Sequence, residues 1–94
     1  MNKVEENVKN LVEDIIVGTA LKLVQVEYVR EGREWFLRVY LSKPGGIEIE
    51  DCVLVSRQLS KKLDESDLIK TQYYLEVSSP GTDETNGDAG GKIE

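Results

Sequence analysis

Phe36, Arg38 and Tyr40 occupy alternate positions of one apolar run, a spacing that sets an aromatic–cation–aromatic row on one face of a strand. Such a row can stack nucleobases or grip a protein surface. Aromatic residues also serve as cross-strand pairs, which would make the row a device of the sheet itself. Directly after it comes Lys43-Pro44-Gly45-Gly46. A glycine pair ahead of a helix can cradle phosphate with its N–H groups. The stretch is neither a Walker pattern nor G-x-G-x-x-G, however, and no Lys-Ser/Thr follows at the required spacing, so a tight turn is the better reading.

The residues that usually carry catalysis are scarce. The chain has no histidine, which removes the usual general base, the usual metal ligand and every Ser-His or Cys-His nucleophile. Its one cysteine, Cys52, forms no intramolecular disulfide and cannot build a cysteine zinc cluster. Cys52 lies on an apolar stripe with no activating neighbour in the local sequence, so it reads as a small buried hydrophobe. The carboxylates are scattered, and no spacing brings two of them together as an acid–base pair. The expectation is a protein that is not an enzyme and takes no cofactor and no metal.

Charge narrows the partners. The 94 residues hold 12 Lys and Arg against 18 Asp and Glu, a formal charge of −6. Asp83, Glu84, Asp88 and Glu94 in the last thirteen residues face only Lys92, so the rest of the chain is also acidic. A duplex-binding module is usually basic. An acidic chain fits a basic protein as partner, or no charged partner at all, though a local basic patch is compatible with that balance. No apolar run approaches a membrane span, and the charged N-terminus does not read as a signal peptide, so a cytoplasmic setting is expected.

These residues need elements to position them. In residues 3–18, Val4, Val8, Leu11, Val12, Ile15 and Ile16 make one helical stripe, with acids near the start and Gly18 as a stop. Residues 21–30 alternate as a half-buried strand, with Val24, Val26 and Tyr28 on one side and Gln25 and Glu27 on the other. Arg30-Glu31-Gly32-Arg33-Glu34 suits a hairpin loop, and residues 35–41 return with Leu37, Val39 and Leu41 inward.

The hydrophobic period then switches from 2 to 3.6 across the Pro-Gly-Gly turn. A second helix runs from Glu48 or Ile49 to about Asp64, its stripe being Cys52, Val55, Ser56, Leu59 and Leu63, extended by Ile49. Asp51 takes the acid position of a capping box, and Lys61 and Lys62 suit the C-terminal dipole. After a polar loop over 64–72, residues 73–78 form a third strand, closed by Ser78-Ser79-Pro80-Gly81. Residues 82–94 carry one large apolar residue and are expected to be disordered.

The order is α-β-β-α-β, an α+β two-layer sandwich with two helices on one face of a three-stranded sheet and the other face open. Right-handed crossover makes the third strand parallel to the second, and the simplest place for it is beside the first.

The ordered set Val26-Glu-Tyr-Val-Arg-Glu-Gly32, Leu37-Arg-Val-Tyr-Leu41, Lys43-Pro-Gly-Gly-Ile47, Asp51-Cys52, Val55-Ser-Arg-Gln-Leu-Ser60 and Leu75-Glu-Val-Ser-Ser-Pro-Gly81 resembles the N-terminal domain of the bacterial ribosome maturation factor family RimP, over residues 3 to 81. The resemblance implies a KH-related fold, also like the alpha-lytic protease prodomain. It implies a noncatalytic role in assembling the small (30S) ribosomal subunit, by association with the free subunit and contact with a basic ribosomal protein, with rRNA as a further contact. It also implies a second, Sm-like barrel, whereas Thr82-Asp83-Glu84 breaks the family's Leu-Asp-Arg-Pro-Leu-like continuation. The expected domains are therefore residues 1–81 and an acidic tail, 82–94, with the barrel absent. Glu48 stands where the family tends to have Thr or Ser, which weakens the helix cap. A KH domain clamps nucleic acid with a loop between two helices, and Lys43-Pro-Gly-Gly46 lies between a strand and a helix, so that mode is not expected.

Candidate contact residues are Arg30, Arg33, Arg38, Lys43, Gly45, Gly46 and Arg57, with Glu27, Asp51 and Glu76 as acidic counterparts. Arg57 has a competing role, pairing with Asp51 or Glu76 at the border of helix and sheet. The alternative function is a stand-alone RNA-binding module using the Phe36-Arg38-Tyr40 face.

Overall fold

A computed structural model describes residues 2–80. Helix α1 spans Lys3–Ile16, strand β1 Lys22–Glu31, strand β2 Glu34–Ser42, helix α2 Ile49–Ser66 and strand β3 Tyr73–Ser78. Both helices pack on one face of the sheet, so the α+β arrangement expected from periodicity is the one observed. The expectations for residues 82–94 lie outside the described residues.

Local chemistry accounts for the element ends. α1 opens with a capping box: Asn2 Oδ1 accepts from Glu5 N–H at 2.8 Å, and Glu5 Oε1 accepts from Asn2 N–H at 3.2 Å. α2 is opened by Asp51, whose Oδ2 accepts the Glu48 N–H at 3.0 Å. It ends not at Asp64 but at Ser66, where Asp67 adopts a left-handed φ of 54° and returns its N–H to the Leu63 carbonyl at 3.0 Å. Asp tolerates that conformation better than most residues. The extra length leaves Lys61 and Lys62 short of the last turn, which contains no base.

The sheet order is β1-β2-β3, with β1 antiparallel and β3 parallel to β2. The parallel direction agrees with the crossover rule, but β3 lies beside β2, not beside β1 as expected. α2 brings the chain back along β2 and delivers Tyr73 opposite Trp35. The far edge of β1 is engaged by α1, where Glu5 Oε2 accepts the Tyr28 N–H at 2.9 Å.

A bulge between Leu23 and Gln25 corrects a second expectation. It turns Leu23 onto the core and leaves Val24 half exposed at 51%. Strict alternation cannot anticipate one extra residue.

The core is aliphatic. Val8, Val12 and Ile16 of α1 and Cys52, Val55, Leu59 and Leu63 of α2 meet Val26, Leu37, Val39, Leu41, Leu75 and Val77 of the sheet. Ile49 does not extend the α2 stripe, being 62% exposed at the first residue of the helix. Cys52 is buried, and burial pushes its thiol up from the ordinary value, which favours the protonated form. Among the described residues, no helix is long and apolar enough to cross a membrane.

Candidate functional site: the open sheet face

Register decides what the uncovered face displays. Three rows cross the sheet: Val29, Phe36 and Tyr74; then Glu27, Arg38 and Glu76; then Gln25, Tyr40 and Ser78. Glu31 and Glu34 close one end of the face and Lys22 stands at the other. Four carboxylates thus face two cations. The surface is acidic, with three aromatic rings set into it.

Arg38 is the centre of this face. Its Nε donates to Glu76 Oε1 at 2.9 Å, while Nη1 and Nη2 donate to the two Glu31 oxygens at 3.0 and 3.2 Å. Both carboxylates accept hydrogen bonds from the guanidinium, Glu31 in the forked two-point manner that arginine alone supports. These bonds hold the guanidinium charged well above its ordinary range, and the same bond lowers the Glu31 carboxyl. Arg38 also lies over the Phe36 ring, its Cζ 4.8 Å from the centroid, and Phe36 stacks on Tyr74 at 5.5 Å.

Other polar groups of the face are tied in as well. Tyr74 donates to Glu34 at 3.3 Å, and Glu27 accepts from Gln25 Nε2 at 2.9 Å. Tyr40 is raised from its ordinary value by burial and by the neighbouring Glu27 charge, so its phenol stays neutral. The face is a pre-organised network rather than a set of free side chains.

That geometry bears on the aromatic–cation–aromatic row. The three residues are on the open face as expected. But Arg38 is consumed by two carboxylates, and Phe36 already has a guanidinium and a tyrosine ring against it. Neither is left to meet a phosphate or a base. The ring and charge pairs follow from cross-strand and ladder neighbours, which is the reading of the row as a device of the sheet.

The other candidates are dispersed. Arg30 folds back, Nε donating to the Gly32 carbonyl at 3.1 Å, and Arg33 is exposed in the hairpin loop. Lys43 pairs with Asp51 at 2.8 Å, joining the end of β2 to the first turn of α2. That hydrogen bond raises the Lys43 ammonium. Burial pushes Asp51 up, but the bonds from Lys43 and the Glu48 N–H outweigh it and leave the carboxyl below its ordinary value.

Between them, Gly46 N–H closes the turn onto the Lys43 carbonyl at 2.9 Å, with Pro44 at the second position and Gly45 and Gly46 at φ of 86° and 107°. Open space surrounds both glycines, so backbone conformation, not crowding, demands them.

Arg57 pairs with neither expected acid. Asp51 is held by Lys43 and Glu76 by Arg38, while Arg57 stands exposed on α2 beside β3. The proposed contact residues therefore do not form one surface.

Glu31 and Glu34 also belong to the face, although a hairpin loop over Arg30–Glu34 would set both outside the strands. β1 and β2 in fact continue through Glu31 and from Glu34, and only a two-residue connection separates them. Reading Glu31-Gly32-Arg33-Glu34 as a tight hairpin would have found them.

The chain matches the family model described as the RimP N-terminal domain over residues 11–83. The chain belongs to the RimP family. RimP membership makes this a ribosome maturation factor domain, a family not known for enzymatic activity. The matched span takes in the sheet, the Lys43–Gly46 turn and α2, the parts that build the open face and position the Lys43–Asp51 pair.

Proposed function

We propose that this RimP domain serves maturation of the small (30S) subunit without catalysis, by docking on the immature subunit through a basic ribosomal protein. The observation that carries this reading is the open face, where Glu27, Glu31, Glu34 and Glu76 outnumber Arg38 and Lys22 around Phe36, Tyr40 and Tyr74. An acidic surface of this kind complements lysine- and arginine-rich protein segments in charge. The same charge opposes a phosphate backbone. Any rRNA contact belongs to cations away from this face, such as Arg33 in the hairpin loop. Activity inside the cytoplasm follows from a ribosomal role.

The test is retention of free small subunits by the immobilised 94-residue chain and by the same chain ending at Gly81. Glu27→Lys with Glu34→Lys should abolish retention while the circular dichroism spectrum stays unchanged. Retention equal to the parent chain would remove the acidic face from the reading; no retention by the parent would show that this domain does not dock alone. The RNA-binding alternative predicts that single-stranded RNA binds and that Phe36→Ala and Tyr40→Ala weaken it, whereas the acidic face predicts no such binding.

A further inference from the structure

A three-stranded sheet has two outer edges, and this one treats them differently. At the β1 edge, the Tyr28 N–H is taken by Glu5 of α1 at 2.9 Å. Among the described residues, no strand pairs the outer edge of β3. In a parallel ladder successive residues turn their N–H and C=O alternately to either side, so half of Tyr73–Ser78 directs its backbone groups away from β2. Exposed edges of that kind are templates for another strand.

A groove runs along this edge between β3 and α2. Val53, Leu75 and Tyr73 supply apolar lining, and Arg57, Lys61 and Asp64 line it from α2. Arg57 and Lys61 are exposed and stand one helical turn apart, about 6 Å along the axis. Alternate side chains of an extended strand are about 6.5–7 Å apart. The two cations therefore match the spacing of two side chains on the same face of an added strand.

We infer that this groove is a docking site for an extended acidic segment of a partner protein. The segment adds as a fourth strand at β3 and sets acidic side chains at positions i and i+2 against Arg57 and Lys61. The intervening side chain falls on the open-face side, next to Tyr74 or Glu76, where a neutral or basic residue suits the neighbouring carboxylate. Pairing with the edge requires amide donors and acceptors in register, which a peptide has and a ribose-phosphate chain lacks. The groove shares β3 with the acidic face but holds its own cations, and it does not depend on the ribosomal reading.

The probe is a fluorescein-labelled nine-residue peptide alternating valine and aspartate, titrated into the 94-residue chain and followed by anisotropy. The expected result is saturable binding below about 1 mM, weakened about tenfold by Arg57→Glu with Lys61→Glu. Amide shifts in 15N spectra should fall on residues 73–78. Both substitutions are on an exposed helix face. If the reversal disturbs the spectrum of the free protein, Arg57→Gln with Lys61→Gln serves instead. The proposal is overturned by no saturation at that concentration, by equal binding of a valine–lysine peptide, by undiminished binding of the double variant, or by shifts confined to the open face. A ten-residue oligouridine that binds more tightly and moves the same amides also overturns it, assigning the groove to nucleic acid.

Discussion

On the open sheet face Arg38 is held between Glu31 and Glu76, whereas in the groove beside β3 Arg57 and Lys61 stand on an exposed helix wall with Asp64 as the nearby acid. The two surfaces share a strand: Tyr74 and Glu76 of β3 belong to the face, and Tyr73 and Leu75 line the groove. The difference lies in how charge is carried. The face carries excess negative charge on a hydrogen-bonded network, and the groove carries positive charge on long, solvated side chains. Side chains already bonded to one another lose less freedom on binding than solvated ones.

Substitutions along β3 should separate the shared scaffold from the two surfaces. Leu75→Ala should have the largest effect, lowering stability by about 2–4 kcal/mol in urea unfolding, because Leu75 is buried in the core as well as lining the groove. A loss below 1 kcal/mol would mean that the groove floor is not part of the core. Valine at both Gly45 and Gly46 comes next. No atom blocks either side chain, so the loss, about 1–3 kcal/mol per position, measures backbone strain alone. Full stability would show that the turn tolerates another conformation.

Arg38→Met should cost about 1–2 kcal/mol by leaving Glu31 and Glu76 facing each other. Adding Glu76→Gln should restore part of that loss; strict additivity of the two changes would deny the coupling.

Acid should weaken the face and the turn together. Glu31 and Asp51 have folded values below their ordinary ones of 4.5 and 3.8, so their contribution is fully present above those values. It is lost as pH falls through the lower folded values. Thermal unfolding followed below about pH 4.5 should show a slope that flattens in Glu31→Gln and Asp51→Asn. Last, Arg57→Ala and Lys61→Ala should each change stability by less than about 0.5 kcal/mol. A larger loss would place them in the fold rather than at its surface.

Much of this architecture is written in local pattern. The helical stripe of Val8, Val12 and Ile16 and the alternation of Leu37, Val39 and Leu41 place those side chains inward without knowledge of neighbours, because each period aims one face at the core. Lys43-Pro-Gly-Gly46 announces a turn because proline and positive φ leave few options. The site was less legible. Arg38 could be seen to lie on the open face, but its partners are seven residues back in one strand and thirty-eight ahead in another.

Sequence alone determined the element order, the core stripes, the absence of histidine chemistry and the motifs that mark RimP. Periodicity and composition are properties of a chain read one window at a time. Tertiary structure alone decided that β3 lies beside β2, that a bulge turns Val24 outward, that Arg38 is held between Glu31 and Glu76, and that the open face is acidic. Those outcomes depend on register between strands, and register is set by packing and crossover, which bring together residues that no local window contains.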